Sequence, residues 1–298
     1  VAKAITIPTT PGFVRSSMRL INTVSATTSP FSGKTRTQQF DYVAWQMDLA
    51  LPPMKQAQAA AWQSFFLKLN GPENYFFLAD PDRAAPLGTY NGNYLLSDVN
   101  TARYPYDVDV TLSFDGSNNK ITANENRFTN AEVGDFFFVT GAVNDANNGT
   151  HKILSKDGNA AAVVDSNLVT ESNTANCKTL TNQKGSTGLT LIGEENKSGT
   201  IKTGDWLSIR NTGGVEQLVM ATEDATVTTQ TDNYDHYSVA IQPRLRSTLA
   251  NNGSVGFRND GDRTDEYNVG QWRLTSEVTW DTDRLGLYSL AFTCQEFT

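Results

Sequence analysis

The chain is poor in the residues that carry most enzyme chemistry. Of 298 residues two are cysteine, two are histidine, and 19% are charged. Cys177 and Cys294 lie far apart with no C-x-x-C or Cys/His spacing, which excludes a zinc ribbon and a dense disulfide scaffold. Two free thiols are the expectation, with Cys294 on the apolar side of a strand. His151 and His236 fall in hairpin segments without a Ser/Asp or metal-ligand neighbourhood, and read as surface or turn residues. There is no nucleophile elbow, no H-E-x-x-H, no phosphate loop and no dinucleotide fingerprint after a strand. Basic excess is also missing: 24 basic against 32 acidic residues leave −8, which argues against a generic or sequence-specific nucleic-acid surface. No run approaches the roughly 20 apolar residues of a membrane span. The opening Val1-Ala2-Lys3-Ala4-Ile5-Thr6-Ile7-Pro8 carries no long apolar segment or cleavage site, and reads as the start of a soluble chain.

What remains is Thr, Asn, Ser and Gly together with 10% aromatic residues, the makings of many short strands joined by turns. The odd positions from Val43 to Leu51 are all apolar, which predicts a half-buried strand with Trp45 and Met47 facing a core. Pro52-Pro53 ends it, and Pro53 suits the first turn of a helix. Met54, Ala57, Ala61, Trp62, Phe65, Phe66 and Leu69 recur at steps of three and four as one apolar stripe, closed by Asn70-Gly71-Pro72. The trio Trp62, Phe65 and Phe66 reads as core rather than a ligand box. Tyr75–Leu78 then reads as a buried strand.

From Arg83 the texture turns to Gly, Asn and Thr, and two segments resemble one another. Val133-Gly134-Asp135-Phe136 opens one and Thr203-Gly204-Asp205-Trp206 the other, each followed by a strand, a Gly-containing turn and a second strand. Such hairpins recur in small β-barrels. The segment from Glu171 to Gly188 has the least strand signal and is expected to loop out. At the end, alternation through Trp272, Leu274, Val278 and Trp280, then Tyr288, Leu290, Phe292 and Cys294, predicts a long hairpin with one buried side. The fold class is therefore mainly β: a discontinuous β-sandwich-like domain with one α-helix (residues 1–84 and 246–298), carrying an inserted all-β module of one or two small barrels (residues 85–245, with repeat units at about 111–170 and 188–245).

Acid clusters occur at Asp80/Asp82, Asp107/Asp109, Glu194/Glu195 and Asp260/Asp262/Asp265/Glu266. None has the ligand spacing of a calcium loop, and acids in Gly-rich turns are usually solvated turn formers. Gln242-Pro243-Arg244-Leu245-Arg246, the one notable basic motif, reads as a salt-bridged domain junction. No catalytic, cofactor-binding or metal-ligating residue is assigned, and no enzyme activity and no cofactor are expected.

Several of these residues carry a resemblance. Trp45…Leu51-Pro52-Pro53-Met54, Gln58-Ala59-Ala60-Ala61-Trp62-Gln63-Ser64-Phe65-Phe66, Leu69-Asn70-Gly71 and Phe77-Leu78-Ala79-Asp80-Pro81-Asp82 are similar to the N-terminal part of distal tail proteins of long-tailed bacteriophages. Gly204-Asp205-Trp206, Pro243-Arg244-Leu245-Arg246 and the terminal hairpin ending in Glu296 resemble them too, and Val133–Val164 resembles small β modules of phage tail proteins. The resemblance covers about residues 1–84 and 188–298. It implies a structural virion protein of the tail tip, made in the host cytoplasm, whose "belt" domain assembles into a ring, usually a hexamer, between the tail tube protein and the hub or baseplate proteins. Six copies at −8 each would carry −48, and an acidic or neutral lumen lets DNA pass without sticking. Two alternatives stay open: a carbohydrate-binding adhesin that stacks a host surface glycan on Trp206 or Tyr90/Tyr94, and a glycan-degrading tail enzyme with two converging carboxylates.

Overall fold

The computed structural model describes residues 2–81, 85–90, 94–96, 109–129, 131–180, 182–193, 197, 199–210, 216–229, 235–249, 254–257 and 270–297. Along the chain come β1 (Arg15–Thr28), β2 (Thr35–Ala50), α1 (Gln56–Leu69), β3 (Phe76–Leu78), β4 (Tyr94–Leu96), β5 (Val110–Asp115), β6 (Lys120–Ala123) and β7 (Phe136–Thr140). They are followed by β8 (Gly149–Lys156), β9 (Ala161–Val164), β10 (Glu171–Leu180), β11 (Gly188–Ile192), β12 (Trp206–Arg210), β13 (Glu216–Ala221) and β14 (Thr226–Thr229). The last are β15 (Asp235–Gln242), β16 (Ser254–Phe257), β17 (Gly270–Leu274), β18 (Thr279–Thr282) and β19 (Tyr288–Glu296). The fold is mainly β with one long helix, and the chain divides into two compact units: Val1–Pro86 with Val215–Leu218 and Gly256–Thr298, and Leu87–Gly214 with Val219–Val255.

The first unit is a helix-backed antiparallel sheet in the order β1-β2-β19-β17-β3, with β18 also paired to β19. The odd residues of β2 face inward as their alternation demands: Val43, Trp45, Met47, Leu49 and Leu51 are buried. α1 presents Ala59, Trp62, Phe65, Phe66 and Leu69 to this core, not Ala57 and Ala61, which are exposed. Its edges pack ring against ring, with Phe66 4.9 Å from Phe292 and Phe65 5.4 Å from Phe76, both T-shaped. The helix starts at Gln56 rather than Pro53, because Met54 exchanges both backbone hydrogen bonds with Tyr288 at 2.9 Å and cannot also turn into a helix. It ends as the sequence requires, on Asn70 in the left-handed region with φ 52°.

The terminal run is not one continuous hairpin arm. It breaks at Ser276, whose hydroxyl accepts the Thr293 N–H at 3.0 Å, so β17 and β18 pair with successive stretches of β19. β17 is the buried half, while all of β18 is exposed and Trp280 is 42% accessible. Within this unit Leu218 is held through both backbone groups. Its N–H donates to the buried Glu296 carboxylate at 2.6 Å and its carbonyl accepts Trp45 Nε1–H at 2.9 Å.

The second unit contains a closed barrel, β10-β5-β6-β9-β8-β7, and most of a seven-stranded sheet, β11-β4-β16-β12-β13-β15-β14, curled so that β11 also pairs with β15; of β13 and β16 it holds the part from Val219 and the part up to Val255. The barrel encloses a single apolar core that includes Leu112, Phe114, Ile121, Phe137, Val139, Ile153 and Cys177. The segment expected to loop out is a strand instead. β10 closes the barrel by pairing with β5 on one side and β7 on the other. Its polar sequence hides it, because Asn173 and Asn176 take positive φ and shift the register twice, which destroys any two-residue alternation.

The two similar segments share one local design. In each, a glycine at φ 97° (Gly134) or 92° (Gly204) precedes a buried aspartate, Asp135 or Asp205. Gly134 donates to the Ile153 carbonyl and Ile153 to that of Asp135; Gly204 and Ala221 repeat the exchange with Asp205 in place of Asp135, all at 2.7–2.9 Å. Both carboxylates accept the N–H three residues upstream, from Glu132 at 2.8 Å and Lys202 at 2.7 Å. Glycine is needed because the turn sits in the left-handed region, and aspartate because its side chain caps that turn.

Candidate functional site

The chemistry-bearing side chains come first. Asp80 is half-buried, and Asp109 is exposed with its carboxylate 4.0 Å from Lys178 Nζ. Asp82, Asp107, Glu194, Glu195, Asp260, Asp262, Asp265 and Glu266 lie outside the described residues. Among the described residues no three His, Cys, Asp or Glu side chains are placed to hold a metal ion. Cys177 and Cys294 are free thiols in separate cores, and burial pushes both thiol pKa values up.

Both histidines are buried, which corrects their reading as surface or turn residues: His151 is 2% and His236 5% exposed. They sit on inward positions of β8 and β15, and the hairpins that carry them line cores instead of rims. His151 Nε2 lies 3.0 Å from the Asn147 carbonyl, which can only accept, so the proton is on Nε2 and Nδ1 faces the Ser166 hydroxyl at 2.9 Å. Ser166 Oγ also lies 3.2 Å from Asp165 Oδ1, although its one proton is given to Nδ1. This places a serine, a histidine and a carboxylate together, which spacing in the sequence did not reveal. The carboxylate, however, sits on the serine and not behind the imidazole, and Lys152 N–H already occupies it at 3.0 Å. The group reads as a satisfied polar network joining β8 to the loop after β9.

Desolvation lowers the His151 pKa, opposed by its bond to Asn147 and by the Asp165 charge. A lowered folded value means the unfolded chain binds more protons, so stability is full above the unfolded pKa near 6.5 and falls as pH drops through the folded one. Thermal unfolding of the barrel should weaken below about pH 6.5, and His151→Gln should flatten that slope. An unchanged slope in the variant would remove His151 as its source.

Of the aromatic residues considered for sugar stacking, Tyr90 is engaged elsewhere. The Tyr90 hydroxyl donates to Asp205 Oδ2 at 2.5 Å, and Trp206 is half-buried. The side chain of Tyr94 lies outside the described residues. In the basic motif Leu245 is buried and exchanges backbone hydrogen bonds with Ser186 and Gly185, while Arg244 and Arg246 are half-buried.

The most unusual surface is the β1–β2 hairpin. β1 pairs only with β2 among the described residues, in a register running from Arg15↔Ala50 to Thr28↔Thr35. β19 covers the far edge of β2 only from Gln46 to Ala50. Outward of the buried Val43, Ala44 and Trp45, from Tyr42 to Thr35, the hairpin runs on as a two-stranded arm, roughly 25 Å at about 3.3 Å per residue. Its tip is a compact turn, with the Ser29 N–H on the Lys34 carbonyl at 2.9 Å, Gly33 at φ 66° and Phe31 99% exposed. The signal in the sequence is the loss of alternation between Val24 and Gln38, where Thr, Ser, Ala and Arg replace one apolar face. An isolated hairpin with bare edges is marginal in water and is a template for pairing.

No protein-family model matches the chain, and no curated protein matches it in sequence.

Proposed function

We propose that this chain is a structural virion protein that forms a ring, of six copies in the simplest case, at the distal end of a bacteriophage tail. It would join the tail tube to the hub or baseplate and let DNA pass. The observation that carries this reading is the β1–β2 arm: a sheet extension whose edges pair with no other strand among the described residues is suited to being covered by another copy. The motif resemblance along residues 1–84 and 188–298 supplies the place of assembly. The all-β second unit, stabilised by its own cores, suits a module displayed by such a ring. The adhesin reading draws less support, since the Tyr90 hydroxyl is spent on Asp205.

Electron microscopy of the particle that carries this protein, with an antibody against the second unit as marker, tests the proposal. The expected image is a ring of label at the tail tip. Label along fibres, at the capsid or nowhere on the particle refutes it.

A further inference from the structure

Charge is distributed along the chain with a marked asymmetry. The first forty residues hold five basic side chains, Lys3, Arg15, Arg19, Lys34 and Arg36, and no acid at all. The remainder holds 19 basic and 32 acidic residues, a balance of −13 on a chain of −8. The tip of the arm is therefore locally positive, with Lys34 and Arg36 there and Asp41 the first acid after them in the sequence. Arg19 is answered by Asp48 at 3.8 Å, but exposed Lys34 and Arg36 near the tip make no ion pair among the described residues.

Elsewhere in the same unit stands a second bare edge of opposite sign. Among the described residues β18 pairs with β19 alone; it is exposed along its whole length, contains Asp281 and follows Glu277, both exposed and neither in an ion pair. Trp280 lies between them with 42% of its surface accessible.

We infer that the arm of one copy seats on the β18 edge of the next copy, head to tail, an inference that rests on the ring reading above. Two tips meeting each other would set Lys34 and Arg36 of one copy against the same two residues of the other, like charge against like. That disfavours the two-fold contact in which identical tips meet. A basic edge meeting an acidic edge is heterologous, and a heterologous contact closes into a ring when its rotation allows. Strand addition supplies the backbone hydrogen bonds, opposite charge supplies register and partner choice, and Phe31 and Trp280 supply apolar anchors.

The test uses the full chain and three variants: K34E/R36E, E277K/D281K, and the four changes combined. Assembly is followed by sedimentation velocity and negative-stain microscopy, with circular dichroism reporting the fold. The wild type should assemble, and its association should weaken about tenfold or more between about 50 mM and 500 mM salt. Each double variant should remain folded and monomeric, and the combined variant should assemble again because the charges are exchanged. Double variants that assemble like the wild type overturn the arm-to-β18 contact and leave the ring reading intact. A wild type that stops at a two-fold dimer overturns the head-to-tail geometry. A wild type that is monomeric at every concentration, with no ring on the particle, overturns both readings. If K34E/R36E instead assembles normally and loses retention on DNA, the arm is a nucleic-acid contact and the inference is wrong.

Discussion

Trp62→Ala should remove about 3–5 kcal/mol from the first unit, the usual range for deleting a large buried aromatic side chain. Trp62 is fully buried and lies 5.6 Å from Phe13, 5.8 Å from Phe65, 6.0 Å from Phe66 and 6.3 Å from Phe292, ring centre to ring centre. Alanine would leave four rings around a void that α1 and the sheet cannot close together, since the helix is pinned at its ends by the Met54–Tyr288 bridge and by Asn70. Among the described residues the indole N–H has no hydrogen-bond partner. Trp62→Phe should therefore be much milder, about 1–2 kcal/mol, because it shrinks the ring and also removes an unsatisfied buried donor. The first unit holds Trp45, Trp62, Trp272 and Trp280 of the five tryptophans, so indole fluorescence during urea unfolding follows it selectively. A neutral Trp62→Ala would mean that α1 does not cover this sheet.

Asp205→Ala should have a comparable effect on the second unit. The carboxylate is 1% exposed and accepts four donors: Leu87 N–H at 2.6 Å, Gly88 N–H at 3.1 Å, Lys202 N–H at 2.7 Å and the Tyr90 hydroxyl at 2.5 Å. Removing it leaves those donors without their acceptor, and hydrogen bonds to charged groups are worth about 1.5–3 kcal/mol each, so a loss of at least about 3 kcal/mol is expected after relaxation. Gly88→Ala should strike the same cage by another route, since a Cβ there would fall 1.9 Å from the Thr200 carbonyl oxygen. Far-UV circular dichroism, resolved into two transitions, measures both variants. If Asp205→Ala shifts neither transition, the cage does not stabilise the unit.

The elements that were legible in the sequence are those where one face alone is buried. β2 reads from Val43 to Leu51, α1 reads from Trp62 to Leu69, and β19 reads from Leu290 to Cys294, because alternation or a helical stripe survives wherever solvent takes the other face. The Gly-Asp pair reads for a different reason: a left-handed turn admits few residues, so its chemistry is printed in the sequence. β10 was illegible because its left-handed asparagines break the period. The burial of His151 was illegible because its partners, Asn147 and Ser166, come from a 3₁₀ turn and a loop that only the closed barrel brings together. The arm was half legible. Its loss of apolar residues shows, but that β19 stops at Gln46 is a matter of tertiary register that no local pattern records.

The order of strands in the first sheet also sets a timetable for synthesis. β2, which emerges early, finds its inner neighbour only in β19, near the opposite end of the sequence. While the ribosome is still adding the intervening residues, the aromatic face of α1 has no Phe292 to meet and the first unit cannot close. The second unit, uninterrupted except by Val215–Leu218, has most of its strands available long before. The part of the molecule that carries the arm is thus the last to mature on a nascent chain, and a chain released early, without β19, would lack the sheet on which that arm is mounted.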